Sequence, residues 1–254
     1  MYKLNLRTLN STIDNIIRLS VVDSTNIYTS KKLSQFGMNE WTAVVADQQT
    51  LGKGQRGRQW HSQFGKNLLM SVYVKPRAIK HDHQFLISAA SGLAIIKTLS
   101  EYGIEGKLKW PNDILVKDAK ICGLLIENQW EKNSLECSII GIGLNVNQIE
   151  FNDYQWKATS ISKLKSQTFD LDEVMEKVIK NLKQLMAIAE SKPAIVWTHY
   201  QLTLYRLNQE IKFKAGDNVL EGILKGINES GAIQIQTERE LHSFVNGEVK
   251  LMRT

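Results

Sequence analysis

Hydrophobic and polar positions alternate along the chain with two periods, and these divide it into elements. Residues 16–22 and 42–46 are short aliphatic and β-branched runs that read as strands. Between them Asp23-Ser24-Thr25-Asn26 supplies N-cap residues for a helix through Phe36, which Gly37 closes. A third strand follows a glycine-rich loop at 67–74. From His83 to Tyr102, the apolar positions Leu86, Ala89, Ala90, Leu93, Ile96 and Leu99 keep helical spacing up to Gly103. Residues 107–110, 114–116, 121–127 and 135–144 read as strands, the middle two joined by a tight turn at 117–120.

A second helix is predicted from Asp170, with Glu173 completing a capping box and Leu171, Val174, Val178, Leu182, Leu185 and Ala189 on one face. Pro193 opens another toward Tyr205. From about Leu207 the pattern changes to five short β-runs, at 211–214, 219–227, 232–236, 241–245 and 248–252, separated by turn residues. The expected architecture is a mixed α/β domain over 1–206, a sheet with helices on one side, and a small β-barrel over 207–254 packed against it. There are no internal repeats and no low-complexity tracts.

Composition narrows the class. The 254 residues are 43% hydrophobic and 23% charged, enough to bury a core. The net charge of +6 suits nucleic acid, a phosphate-bearing substrate, an acidic protein partner or simple solubility, and does not choose among them. The longest nearly apolar stretch, 85–96, is broken by serines and a glycine and falls short of the ~20 residues that cross a bilayer. The amino terminus has no apolar core of a secretion signal. Cys122 and Cys137 lack CxxC spacing, so both are expected as buried thiols of a cytoplasmic protein.

Three segments carry chemistry. The loop Gly52-Lys53-Gly54-Gln55-Arg56-Gly57-Arg58-Gln59-Trp60 satisfies G-x-G-x-x-G, but no helix opens after it and no acidic residue follows a second strand, so the dinucleotide reading fails. Kinase and Walker signatures are absent. What remains is a flexible loop whose backbone amides and three cations, Lys53, Arg56 and Arg58, suit an anion; a solvated basic turn explains the loop alone equally well. In Lys109-Trp110-Pro111-Asn112-Asp113, followed by Lys120-Ile121-Cys122-Gly123, a hairpin would bring Asp113 and Lys120 into one site, suited to magnesium and phosphate or to a plain turn salt bridge. Gly141-Ile142-Gly143-Leu144-Asn145-Val146-Asn147 ends a strand with close-approach glycines and an amide able to read a base. His81-Asp82-His83 has no third ligand nearby and reads as a solvated loop, and Trp41, Trp130, Trp156 and Trp197 read as packing residues.

In this order and spacing, Asp23-Ser24-Thr25-Asn26, Gln49 with GKGQRGRQW, KWPND, KICGLLIE, GIGLNVN and the terminal GEVKLMR resemble the biotin protein ligases across residues 23–253. The resemblance implies a catalytic domain like that of class II aminoacyl-tRNA synthetases and biotin ligases, with an SH3-like barrel after it. It implies an enzyme that uses ATP to make biotinyl-5′-adenylate and transfers biotin to a carrier-protein lysine, with magnesium. By resemblance Ser24, Thr25, Asn26 and Gln49 hold the biotin head, Lys53, Gly54 and Gln55 lie along its carboxylate, and Gly123 leaves room for the ligand. Lys53, Arg56, Arg58, Trp60, Asn145 and Arg253 would face ATP or the adenylate, with Asn145 reading adenine and Trp60 as an aromatic wall. Lys120 matches the catalytic lysine, and Asp113 is placed to organise magnesium or the attacking lysine. The implied partner is the biotinyl domain of acetyl-CoA carboxylase, and a homodimer is compatible with the sequence.

The chain departs from the family pattern in two places. Many members have arginines where this loop has Lys53 and Gln55, and a glutamine cannot neutralise phosphate. Met252 stands where a terminal arginine is expected, so Arg253 serves only if the last strand shifts by one. About 20 residues precede the first motif, too few for a helix-turn-helix, so repression of transcription is not expected. Two rivals stand beside this reading. One is a lipoate or octanoate ligase on the same fold, against which Gln49, the basic loop and KWPND speak. The other is a nucleic-acid-binding barrel, with only Phe213 and Phe244 as aromatics in its strands.

Overall fold

Strand alternation in the computed structural model, which describes residues 15–132, 134–151 and 157–252, gives the main sheet two unlike faces. Its strands are β1 (Ile16–Val22), β2 (Ala43–Gln49), β3 (Leu68–Val74), β4 (Lys107–Lys109), β5 (Asp113–Val116), β6 (Ala119–Glu131) and β7 (Ser134–Leu144). They lie in the order β1-β2-β3-β7-β6-β5-β4, with the two-residue β8 (Lys157–Ala158) on β6. The β1–β2 and β6–β8 pairs are parallel and the rest antiparallel.

Leu68, Met70, Val72 and Val74 of β3 face a helix layer of α2 (Phe85–Glu101), α4 (Leu171–Ser191) and α5 (Pro193–Thr203), and the main core lies there. The other face carries α1 (Thr25–Phe36), packed near β2, β3 and β7, and a smaller cluster of Leu19, Val22, Val44 and Ala46. Helices therefore cover both faces, not one as expected. The reason is local: α1 buries the polar Thr25, Asn26 and Thr29, and its own apolar stripe is too thin to join the large core.

The predicted elements form with ends shifted by a few residues, as fraying termini allow. Asp170 caps α4, accepting from the amides of Asp172 at 2.7 Å and Glu173 at 3.3 Å. Glu173 pairs with Lys177 at 3.0 Å. The short α3 (Ile161–Lys165), capped by Ser160, and β8 carry no periodic signal because neither is long enough to repeat its pattern twice.

The second sheet comprises β9 (Glu210–Ala215), β10 (Asn218–Ile227), β11 (Ile233–Gln236), β12 (Leu241–Phe244) and β13 (Val249–Leu251), in the order β12-β11-β10-β9-β13. This is the all-β C-terminal part expected, and among the described residues its hydrogen-bonded ladders form one path that ends at β12 and β13 without closing. Phe213, Leu224, Ile233 and Ile235 belong to the same core as α2 and α5. Trp110 Nε1 donates to Gly231 O at 2.9 Å, which ties the two sheets together.

Both cysteines are buried, and burial pushes the Cys137 thiol up to about 11. Trp41, Trp130 and Trp197 pack on the core; Trp156 lies outside the described residues. His81, Asp82 and His83 form a single 3-10 turn, with His81 against Trp130. No helix of the described residues is long and apolar enough to cross a membrane.

Replacing the α4 cap, Asp170→Ala, is expected to cost about 1 kcal/mol of stability. Urea denaturation of the variant beside the parent checks it.

Candidate active site

The face of the sheet opposite the helix layer is where the singled-out residues meet. Register fixes which side chains reach it. Lys109 pairs with Asp113, Asp113 with Gly123, Gly123 with Gly143 and Gly143 with Leu69, one cross-strand row on one face. Lys120 and Gly123 are an odd number of residues apart and would point to opposite faces of a regular strand. The ladder between β5 and β6 shifts here: Ile114 pairs with Cys122 but Leu115 pairs with Lys120, leaving Ile121 as an extra residue. This bulge lets Ile121 and Cys122 both enter the core while Lys120 and Gly123 share the open face.

At the near end of α1, buried polar groups form a closed network. Gln49 Oε1 accepts from Thr25 N at 2.8 Å and Thr25 Oγ1 at 3.1 Å. Asn26 Nδ2 donates to Leu125 O at 3.1 Å and Glu127 Oε2 at 2.8 Å. The Ser71 hydroxyl sits 2.6 Å from Asn26 Oδ1 and 2.7 Å from Thr25 Oγ1. Ser71 and Glu127 were missed in the sequence. Ser71 is the lone polar residue in a fully buried strand, and that was the signal available.

The glycine-rich loop folds on itself. Gly54 N donates to Arg58 O at 2.7 Å, Trp60 N to Gly52 O at 2.8 Å and Arg58 N to Gln55 O at 3.3 Å. These three amides are thus engaged within the loop. Arg56 sits at φ 57, where its side chain turns toward the second sheet. Its Nη1 donates to Gly247 O at 3.0 Å, and Gln55 Oε1 accepts from Asn246 Nδ2 at 3.3 Å. Trp60 lies over Gly123 and Gly143, with its Nε1 buried and unpartnered among the described residues, a donor awaiting an acceptor. Gly123 borders the cavity, and a Cβ there would meet the Trp60 ring and the end of Lys120.

Asp113 is the electrostatic centre. Its Oδ1 lies 2.5 Å from Lys120 Nζ and its Oδ2 3.2 Å from Lys109 Nζ. Burial pushes its carboxyl up, but the two ammonium groups, Lys120 foremost, outweigh it and hold it below the ordinary carboxylate value. Burial draws the Lys109 ammonium down, opposed by Asp113. The sequence motif alone assigns Lys109 no partner; the β4–β5 register supplies it. One carboxylate between two ammonium groups leaves the floor positive. It does not suit a resident divalent cation, and no group of three or more potential metal ligands occurs among the described residues. The magnesium role expected for Asp113 therefore has no support in this donor set.

Every singled-out residue among those described borders one cavity of about 430 Å³, from Ser24 and Gln49 at one end to Arg58 and Asn145 at the other. Asn145 is buried, and its Nδ2 donates to Thr159 O at 3.0 Å. Lys250 of β13 also lines the cavity. Arg253 lies outside the described residues.

The Biotin/lipoate A/B protein ligase family model matches residues 19–145, and the biotin protein ligase C-terminal domain model matches 207–252. The bifunctional ligase/repressor BirA of Bacillus subtilis is 30% identical over 88% of this chain and 70% of its own length. The biotin--[acetyl-CoA-carboxylase] ligase of Mycobacterium tuberculosis is 24% identical over 75% of this chain and 71% of its own. The solved biotin protein ligase of Aquifex aeolicus in complex with biotin and ATP superposes with a TM-score of 0.80 and 31% identity, covering 95% of this chain and all of that one.

Because the folded Asp113 value is depressed, the stability it confers is complete above the ordinary value of 3.8 and is lost as pH falls through the lower folded value. Asp113→Asn should cost about 3 kcal/mol near neutrality by leaving the buried Lys109 and half-buried Lys120 ammonium groups uncompensated. The gap to the parent should narrow only below pH 3.8. Urea titrations across this range decide it, and a gap that stays constant into strong acid would contradict the assignment.

Proposed function

The chain belongs to the biotin/lipoate A/B protein ligase family, and from that premise we propose that it is an ATP-dependent biotin ligase. A biotin carboxylate oxygen attacks the α-phosphorus of ATP, pyrophosphate leaves, and biotinyl-5′-adenylate forms. The amine of a carrier-protein lysine then attacks the acyl carbon, the bond to AMP breaks, and the amine gives up its proton. The carrier is a biotin carboxyl carrier protein, and the biotinyl domain of acetyl-CoA carboxylase is the expected one.

The observation that carries this reading is the convergence, on one cavity, of a closed polar network, a basic loop and a lysine–aspartate pair. The network suits the ureido head of biotin. Ser24, Thr25, Asn26 and Gln49 line that end, and a compact group with donors and acceptors on its rim can exchange hydrogen bonds with them, whereas the apolar dithiolane of lipoate offers none. Two anions, the biotin carboxylate and the α-phosphate, must then approach each other. The floor supplies Lys120 for both, and Lys53, Gly54, Gln55, Arg56 and Arg58 extend along the phosphate side. When Lys120 moves onto ligand oxygen, Lys109 remains to balance Asp113, so the carboxylate stays ionised beside the incoming amine. Trp60 and Asn145 are assigned to adenine, and Arg253 to the triphosphate. Magnesium would enter with the nucleotide, as Mg-ATP, and would neutralise phosphate charge there.

We place the boundary between catalytic and C-terminal parts near residue 206, and the protein in the cytoplasm, in keeping with two buried thiols. A net charge of +6 would steer an acidic carrier toward it.

Transfer of biotin from biotin and Mg-ATP to a purified carrier domain tests the reading. Lys120→Ala should reduce the rate by about two to three orders of magnitude, with lipoate failing to compete. Transfer of lipoate instead would keep the fold and replace the substrate. The neutral Gln55 loosens the grip on the adenylate, so Gln55→Arg should slow escape of the intermediate by about tenfold. An unchanged escape rate would remove that role.

A further inference from the structure

Strand β7 carries two glycines, Gly141 and Gly143, whose backbone any residue can adopt, since neither has a positive φ. Conformational freedom does not explain them; what lies above them does. A Cβ at Gly141 would run into Asn26 Oδ1 and stand 2.9 Å from Leu125 O. A Cβ at Gly143 would lie 2.6 Å from Trp60 Cε2 and 2.9 Å from Cδ2 and Cζ2. Gly123, the cross-strand partner of Gly143, would meet the same indole at Cζ3, 3.0 Å away. The ring therefore rests across a pair of facing glycines, and no other residue type lets it lie so close to the sheet.

We propose that Gly141 and Gly143 are positioning residues with separate clients, one for each substrate of the adenylation. Gly141 seats Asn26, whose amide is held between Ser71 and Glu127 at the head-group end. Gly143, with Gly123, seats Trp60 flat, which keeps open the volume a nucleotide base must occupy. A methyl group at 141 pushes Asn26 off its partners; one at 143 lifts the indole into the cavity. Two residues apart on one strand, the same substitution should thus impair two different ligands. The inference rests on the proposed assignment of Asn26 to biotin and Trp60 to the nucleotide.

The test uses the full chain, with biotin affinity measured by calorimetry without nucleotide and KM for ATP from the transfer assay. Gly143→Ala should raise KM for ATP about tenfold or more and leave biotin affinity within about twofold; Gly141→Ala should weaken biotin by a similar factor and spare ATP. Adding Trp60→Phe to Gly143→Ala should restore much of the ATP KM, because a smaller ring fits above a Cβ. This rescue also serves if Gly143→Ala alone folds poorly. Equal loss of both ligands in each variant, or no rescue, would overturn the division. Trp60→Ala separates the premises: unchanged KM for ATP refutes the role of Trp60, whereas a raised KM with an innocuous Gly143→Ala refutes the seat alone.

Discussion

A buried carboxylate held between two ammonium groups organises the site. Asp113 joins β4 to β6 through charge as well as through the sheet, because Lys109 reaches it from one neighbouring strand and Lys120 from the other. Removing two cations and an anion from water is costly, and the arrangement persists only because each ion compensates another. In the proposed reaction this surplus positive charge offsets two anions that repel each other in solution. A single lysine would neutralise Asp113 and leave nothing for the ligands.

That trio depends on the bulge at Ile121. Without the extra residue, Lys120 would enter the core and Ile121 would face the cavity. The helix layer on the opposite face makes the other orientation untenable, since α2 and α4 pack an almost wholly apolar surface against β3, β6 and β7. The core therefore pins the register, and the register aims the lysine. Glycines at 123, 141 and 143 then thin the cavity face until side chains from α1 and the basic loop can lie directly on the sheet.

The basic loop is shaped from two sides. Its internal hydrogen bonds narrow it, and the turn between β12 and β13 holds its tip through Asn246 and Gly247. The second sheet, joined to the first by a common core and by Trp110, thereby becomes a wall of the cavity, with Lys250 on it.

Most strands and the long helices were legible in the sequence, because their periods repeat several times and α4 begins at an N-cap aspartate. The family resemblance was legible too, since its motifs are short runs whose order survives without coordinates, and the residues it singled out do border one cavity wherever they are described. The helix on the second face, the open ladder of the C-terminal sheet and the roles of Ser71, Glu127 and Lys109 were not. Ser71 and Glu127 matter because strands distant in sequence lie against α1, and Lys109 because β4 and β5 pair in one register out of those a short hairpin allows. The sequence by itself determined which residues carry charge, amide and aromatic groups and in what order. Tertiary structure decided which of them share a face, because a single extra residue in β6 reverses the side to which a chain of alternating side chains points.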